Sequence, residues 1–174
     1  MNLQPRLISR IALFSALIYV LSYATAYLPN VSFVFFIVFA GGYLWGALAG
    51  SMIGLIGMWL SSSFNPFGPA ALPLLVAQMI GAGCGGLVGA FVHGRSDHGR
   101  IPPGMMWLIL AAVVCTLAYY LPVNGVDAWL YQPFWPRFIS GLPWVAISMV
   151  SNALIFPLLF GVVTRLYARE SRFR

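Results

Sequence analysis

Residues Val31 to Phe64 read VSFVFFIVFAGGYLWGALAGSMIGLIGMWLSSSF, a run without a single charged side chain. One straight helix of that length would be roughly 50 Å long, whereas the hydrocarbon core of a bilayer is about 30 Å thick. The six glycines of the run weaken a helix and let backbones approach one another closely. The run therefore predicts two membrane crossings, joined by a reversal near Tyr43–Gly50.

The distribution of arginines agrees with that count. They cluster in residues 6–10, 95–100 and 165–174, and the positive-inside rule places such short basic segments in the cytoplasm. An even number of crossings must then separate each cluster from the next. Residues 7–28 and 72–92 supply one crossing each, so the hairpin run must supply two. Two further crossings precede the last cluster, which gives six spans with both termini in the cytoplasm.

The bulk composition leaves little room for another class of fold. The chain of 174 residues is 61% hydrophobic and 7% charged, with a mean hydropathy of +0.90, and no water-soluble domain of that size could cover so much apolar surface. The net charge of +6 comes from arginines, most of them at predicted span ends, which favours contact with lipid headgroups and not with nucleic acid. We expect an all-α integral membrane protein, with residues 1–174 forming one six-helix domain.

Small residues mark faces on which helices can pack closely. Ala12 and Ala16 lie four residues apart near the cytoplasmic end of helix 1, a spacing that allows another helix to approach the backbone. They either pack within this protein or form a docking face for a partner subunit. A stripe from Gly46 to Gly54 and a second stripe from Ala77 to Gly89 are expected to pack on each other.

Polar residues near the outer side of the predicted bundle are candidates for binding. Asn65 belongs to the stiff loop NPFGP, which is either a binding edge or a plain connector. Gln78 lies about two turns below the outer surface, and an amide there needs a partner from a neighbouring helix or from a ligand. Asn152 falls near the middle of the membrane, where an amide is costly unless it is bonded or faces a cavity.

The segment from Pro122 to Arg137 is predicted to be an outer loop between helix 5 (Met105–Leu121) and helix 6 (Phe138–Leu166). Its amide, charged and aromatic side chains suit a small, partly aromatic, polar ligand. The alternative is an aromatic belt at the membrane interface with a salt bridge. The candidate residues in this segment are Asn124, Asp127, Trp129, Tyr131, Trp135 and Arg137.

Several kinds of chemistry are missing from the sequence. No predicted span contains a carboxylate of the kind that ion-driven transporters use, and no glycine-rich phosphate loop is present. Neither a hydrolase constellation nor a metal-ligand spacing occurs, and we do not expect His93, Asp97 and His98 in their glycine-rich loop to hold a metal. We therefore expect no enzyme, no metal and no cofactor, but a small-molecule binder that takes its energy from partners.

These features together resemble the substrate-binding S component of an energy-coupling factor (ECF) transporter. The resemblance rests on the length, the six predicted spans and the pair Ala12-x-x-x-Ala16. It also rests on the sequence AGGYLWGALAGSMIG at residues 40–54, and on the NPFGP loop that leads into a glycine-striped helix 4. It extends over nearly the whole chain.

The resemblance implies partners, a location and a site. Helix 1 would meet a coupling transmembrane subunit through Ala12 and Ala16, and two cytoplasmic ATPases would drive import of a vitamin-like molecule across a bacterial or archaeal cell membrane. The ligand would lie near the outer side. The residues that this implies are Asn30, Asn65, Asp127, Trp129, Tyr131, Trp135 and Arg137.

Two other functions stay open from sequence alone. The first is a non-transporting assembly subunit, such as the small six-span cell-shape protein of the rod complex, which would bind protein partners and no ligand. The second is a stand-alone carrier or membrane enzyme.

Overall fold

The computed structural model describes residues 4–28, 30–96 and 103–171, apart from the last two side chains. Over these residues the protein is helical and contains no strand. Its helices are α1 (Pro5–Ala24), α2 (Val34–Trp45), α3 (Ala47–Ser63), α4 (Leu72–Arg95), α5 (Met105–Leu130) and α6 (Phe134–Ser171). The predicted all-α class is confirmed for this part of the chain.

The reversal predicted near Tyr43–Gly50 lies at Gly46. This residue separates α2 from α3 and has a φ of 91°, a backbone conformation that glycine adopts without the steric penalty of a Cβ. The two helices then fold against each other so closely that a Cβ added at Gly50 would overlap the backbone of Gly42. The glycines of the hairpin thus serve both the turn and the close packing that follows it.

The two hairpin helices are short. With 12 and 17 residues they extend over roughly 18 and 26 Å, less than the hydrocarbon core of about 30 Å. Four helices, α1, α4, α5 and α6, are long and apolar enough to cross a membrane. Six crossings with both termini in the cytoplasm stay a prediction.

Helix α3 packs on α4 through backbone contacts. A Cβ added at Gly54 would overlap the backbone at Ala82, and one added at Gly50 would overlap Gly86. The hydroxyl of Ser51 also donates a hydrogen bond of 2.9 Å to the carbonyl oxygen of Gly83. The predicted packing of the two stripes is therefore only partly right, because α3 contacts a different face of α4 from the one that carries Gly81, Gly85 and Gly89.

That predicted face of α4 packs instead against α2 and α5. Gly81 lies against the backbone of Tyr119 on α5, and Gly89 lies against the backbone of Phe39 on α2. Because α4 carries small residues on two faces, it can contact α2, α3 and α5 at backbone distance. Helix α2, almost every residue of which is buried, is the helix that contacts all five of the others.

The segment 122–137 is not the loop that the sequence predicts. Helix α5 continues through Pro122 to Leu130, and α6 begins at Phe134, so only three residues connect them. Proline removes one backbone hydrogen bond from a helix, but a long membrane helix tolerates that loss where neighbouring groups compensate. The predicted loop residues Asn124, Asp127 and Trp129 are helical, and Asp127 lies in the last turn of α5.

The described arginines other than Arg137 lie at one end of the bundle, which we call the arginine end. The guanidinium of Arg10 lies 5.5 Å from the centre of the Trp45 ring at the end of α2. The ring of Tyr43 packs 4.9 Å from that of His93 on α4 and 6.4 Å from that of Tyr167 on α6. The ends of α2, α4 and α6 therefore meet there.

At the opposite end, α2 begins deeper in the bundle than its neighbours do. Phe35 in its first turn packs 5.1 Å from the ring of Tyr119, and Tyr119 is level with Gly81 of α4. Helix α4 itself begins nine residues earlier, at Leu72, which is roughly 13 Å further out. The short α2 thus leaves a recess above its first turn, between the longer helices.

Candidate functional site

A cavity of about 180 Å³ lies in this recess. Helices α1, α3, α4 and α5 contribute side chains to its walls, and the start of α2 forms its floor. Most of the lining residues are polar and none is charged. They are Ser22, Ser32, Ser61, Ser62, Asn65, Gln78, Tyr119 and Tyr120, together with the apolar Val34, Phe35 and Met58.

Two polar atoms in the cavity wall are buried without a hydrogen-bond partner among the described residues. They are Oγ of Ser22 on α1 and Oε1 of Gln78 on α4. Leaving such an atom unsatisfied costs about 1–3 kcal/mol, so a ligand that forms a hydrogen bond with either atom would recover that cost. Of the two partners that the sequence left open for Gln78, a neighbouring helix supplies none to its Oε1 within the described chain.

The connection from α3 to α4 forms the edge of the cavity. Oδ1 of Asn65 accepts a hydrogen bond of 2.9 Å from the backbone N–H of Phe67, and the N–H of Ala70 donates 3.1 Å to the carbonyl of Ser62. The ring of Phe67 packs 5.7 Å from that of Tyr27 in the α1–α2 connection. The two connections therefore meet at this end.

Asn30 lies beside the cavity and positions one of its walls. It has a φ of 54°, and its Oδ1 accepts a hydrogen bond of 2.8 Å from the hydroxyl of Tyr120. The hydroxyl of Ser148 on α6 lies 2.8 Å from that Tyr120 hydroxyl and 3.0 Å from the Asn30 carbonyl oxygen. Asn30 therefore joins the α1–α2 connection to α5 and α6 and does not itself line the cavity.

Asn152 lies deeper, in the core between α5 and α6. It is fully buried, and its Nδ2 donates a hydrogen bond of 3.0 Å to Oγ1 of Thr116. Its Oδ1 has no partner among the described residues. Asn152 does not line the cavity, so the structure does not support direct contact with a ligand there.

The charged candidates lie apart from the cavity, in a cleft on the α5–α6 hairpin. Asp127 and Arg137 form a two-point ion pair, with Nε to Oδ2 at 2.6 Å and Nη2 to Oδ1 at 3.3 Å. The guanidinium also lies 4.7 Å from the centre of the Tyr131 ring. The cleft is about 320 Å³ and is lined by Asn124, Asp127, Arg137, Ser140, Gly141 and Trp144.

The ion pair is open to solvent, and its two side chains already form hydrogen bonds with each other. The side chains of Arg137 and Asp127 are 44% and 30% exposed, and each satisfies the other. Trp129 and Trp135 are 66% and 68% exposed and line neither the cleft nor the cavity. The segment thus fits the predicted alternative, an interfacial aromatic belt with a salt bridge, better than it fits one enclosed pocket.

The structure therefore divides the predicted site. Only Asn65 and Gln78 line the cavity, and Asn124, Asp127 and Arg137 line the cleft. The candidates from the sequence did not include the tyrosine pair of α5 or the serines of α1 and α3. A signal for them was present, because Ser61, Ser62 and the pair Tyr119–Tyr120 place polar groups inside apolar runs.

The small-residue face of α1 is exposed over the part of the chain that the structure describes. Ile11, Ser15 and Ile18 are buried, and Gly57 of α3 packs against Ile18. Ala12 and Ala16 point away from this contact and are exposed. Of the two alternatives for this pair, packing within the chain is therefore not seen in the described residues.

Of His93, Asp97 and His98, where we expect no metal, only His93 lies among the described residues. Asp97 and His98 lie outside the described residues, and the ring of His93 packs against Tyr43 and Tyr167. Over the described ranges, no group of three or more His, Cys, Asp or Glu residues could hold a metal ion.

Comparison with known proteins bears on the predicted resemblance. The chain matches the family described as ECF transporter, substrate-specific component, over residues 6–165. No curated protein and no solved structure matches it. The matched family consists of transporter components and not of enzymes. The resemblance is confirmed, and the chain belongs to the substrate-specific components of ECF transporters.

Proposed function

We propose that this chain binds a vitamin or related small molecule in the cavity above α2 and delivers it inward as part of an ECF importer. The observation that carries the proposal is the cavity itself. It combines enclosure by several helices with two buried polar atoms, on Ser22 and Gln78, that lack a partner in the described chain. A preformed site with a few unsatisfied polar groups is what a small-molecule binder requires.

The proposed partners are a coupling transmembrane subunit and two cytoplasmic ATPases. The sequence has no phosphate-binding loop, so ATP-driven transport needs a partner that hydrolyses ATP. The exposed Ala12 and Ala16 support α1 as the docking face, since small residues allow a partner helix to approach its backbone. Exposed apolar neighbours, among them Ile8 and Val20, continue the same face.

We further propose that the arginine end faces the cytoplasm and that the cavity faces outward, in a multi-pass arrangement with six crossings. The positive-inside rule supports this orientation. It can be tested with a membrane-impermeant maleimide applied to intact cells. A cysteine at Gln132 should be labelled and one at Gly94 should not, and the opposite result would overturn the orientation.

The direct test of binding uses the purified chain without partners. A collection of vitamins and related compounds is screened by thermal shift, because a ligand that binds only the folded protein raises its melting temperature. Hits are then verified by native mass spectrometry. One compound should bind with sub-micromolar affinity. If no compound stabilises the protein, and it does not co-purify with a co-expressed ATPase module, the proposal is wrong.

A further inference from the structure

The first constraint on the ligand is its charge. Every residue that lines the cavity is neutral, and the nearest described ion pair, Asp127–Arg137, lines the separate cleft. A charged ligand enclosed there would lose hydration without gaining a counter-ion, which is strongly unfavourable. The cavity therefore favours an uncharged molecule.

The second constraint is size. The cavity volume of about 180 Å³ is below the range of about 300–1,000 Å³ that is usual for drug-sized ligands. For comparison, an apolar cavity of about 150 Å³ can hold a benzene ring. The space above α2 therefore accommodates one six-membered ring with small substituents, whereas a fused ring system would have to extend through its open side.

The third constraint is the shape and polarity of the walls. Three aromatic side chains stand at the floor, with the ring of Phe35 5.1 Å from that of Tyr119 and the ring of Tyr119 5.1 Å from that of Tyr120. Aromatic walls favour a flat ring. The unpartnered Oε1 of Gln78 accepts hydrogen bonds only, so the ligand must present an N–H or O–H toward α4.

From these three constraints we propose that the substrate is an uncharged, single-ring heterocycle that carries a hydrogen-bond donor. This proposal rests on the proposed function. In the bound state the donor meets Oε1 of Gln78, and a second polar group of the ring meets the hydroxyl of Ser22. The same cavity disfavours charged and fused-ring compounds.

The test uses a matched set of probes that differ in one property at a time. Nicotinamide, uracil and their ring-substituted analogues represent the proposed class. Nicotinate and N1-methylnicotinamide keep the nicotinamide ring size but carry a negative and a positive charge, and riboflavin is a fused-ring probe. Binding to the purified wild-type chain is measured by native mass spectrometry and thermal shift.

We expect a compound of the neutral single-ring class to be the tightest binder, with its charged analogues weaker by at least about 100-fold, as the burial of an unpaired charge requires. If a charged or fused-ring compound binds most tightly, this proposal is wrong and the proposed function survives. If no compound of any class binds, this proposal is wrong, and the proposed function is wrong too if the chain also fails to co-purify with a co-expressed ATPase module.

A pair of variants locates the interaction. Gln78→Glu keeps the shape of the side chain but adds a negative charge. Its affinity for a neutral ligand should fall about tenfold, and its affinity for N1-methylnicotinamide should rise. Such a gain cannot arise from misfolding. Gln132→Glu, made at an exposed position whose Nε2 donates to the carbonyl of Trp129, is the matched control and should change neither affinity.

A second pair of variants leaves the charge of the protein unchanged. Ser22→Ala removes the other unpartnered polar group and should weaken neutral ligand about threefold to tenfold, whereas Ser9→Ala, at an exposed serine of α1, should have no effect. Unchanged affinity in both Gln78→Glu and Ser22→Ala would overturn the proposal.

Discussion

The cavity above α2 and the cleft on the α5–α6 hairpin are both polar regions at the end opposite the arginine end, and they differ in how their polar groups are satisfied. The cleft contains a carboxylate and a guanidinium that pair with each other and face solvent, and one buried atom there, Nδ2 of Asn124, has no partner among the described residues. The cavity contains only neutral groups, yet two of them are buried without a partner in the described chain. Buried polar atoms without a partner indicate a binding site more strongly than charged side chains that already pair with each other, because an unpaired atom gains a hydrogen bond when a ligand binds.

The largest expected effect comes from filling the cavity. Ser62 is 6% exposed and lines the cavity from α3. Ser62→Phe should reduce ligand affinity by at least about 100-fold, because overpacking the site costs about 1–3 kcal/mol in addition to the lost contacts. Isothermal titration calorimetry measures the change. Ser140→Phe makes the same substitution in the cleft. If Ser140→Phe abolishes binding and Ser62→Phe does not, the cleft is the site.

The next effect separates binding from transport. Ala12→Leu with Ala16→Leu should lower uptake by the assembled transporter about tenfold or more, because the larger side chains prevent close approach of a partner helix. Ligand binding by the isolated chain should be unchanged. Ala146→Leu, at an exposed alanine of α6, is the control. Equal uptake by the wild type, the double variant and Ala146→Leu would show that this face of α1 is not the docking surface.

A smaller effect is expected at the wall that Asn30 positions. Tyr120→Phe removes the hydrogen bond to Asn30 Oδ1 and should weaken binding about fivefold, mainly through faster dissociation. Stopped-flow measurements give the rate. Tyr23→Phe, at an exposed tyrosine of α1, should leave it unaltered, and an unaltered rate in Tyr120→Phe as well would mean that this hydrogen bond does not hold the wall.

The smallest effect is expected in the cleft. Asp127→Asn breaks the ion pair with Arg137, but exposed ion pairs contribute little. Ligand affinity should change less than about twofold, and any change in melting temperature should shrink at high salt. A tenfold loss of affinity would place the charged hairpin in the binding site after all.

Much of the fold followed from the sequence because hydropathy and glycine spacing act locally. The reversal at Gly46, the all-helical class and the start of α4 at Leu72 were all predictable in this way. The extent of α5 was not, because Pro122 and Gly125 are ordinary helix-ending signals and only tertiary packing carries the helix past them. The faces of α4 were misassigned for a similar reason, since small residues such as Ala82 and Gly86 lie on a second face as well.

The candidate site was harder to predict than the fold. Gln78 stood out because an amide in an apolar span needs a partner, and it does line the cavity. Ser22 and Tyr120 were not among the candidates, because serine and tyrosine are common in membrane helices and their importance depends on the recess above α2. That recess arises from the different depths of α2 and α4, which no local pattern encodes.

Protection of introduced cysteines tests most directly whether the cavity or the cleft holds the ligand. In a chain with Cys84 and Cys115 replaced by alanine, cysteine is placed either at Ser22 in the cavity or at Ser140 in the cleft, and its rate of reaction with a small maleimide is measured with and without ligand. The account predicts that saturating ligand slows the reaction at position 22 at least about tenfold and leaves position 140 unchanged. Protection at position 140 with none at position 22 would contradict it.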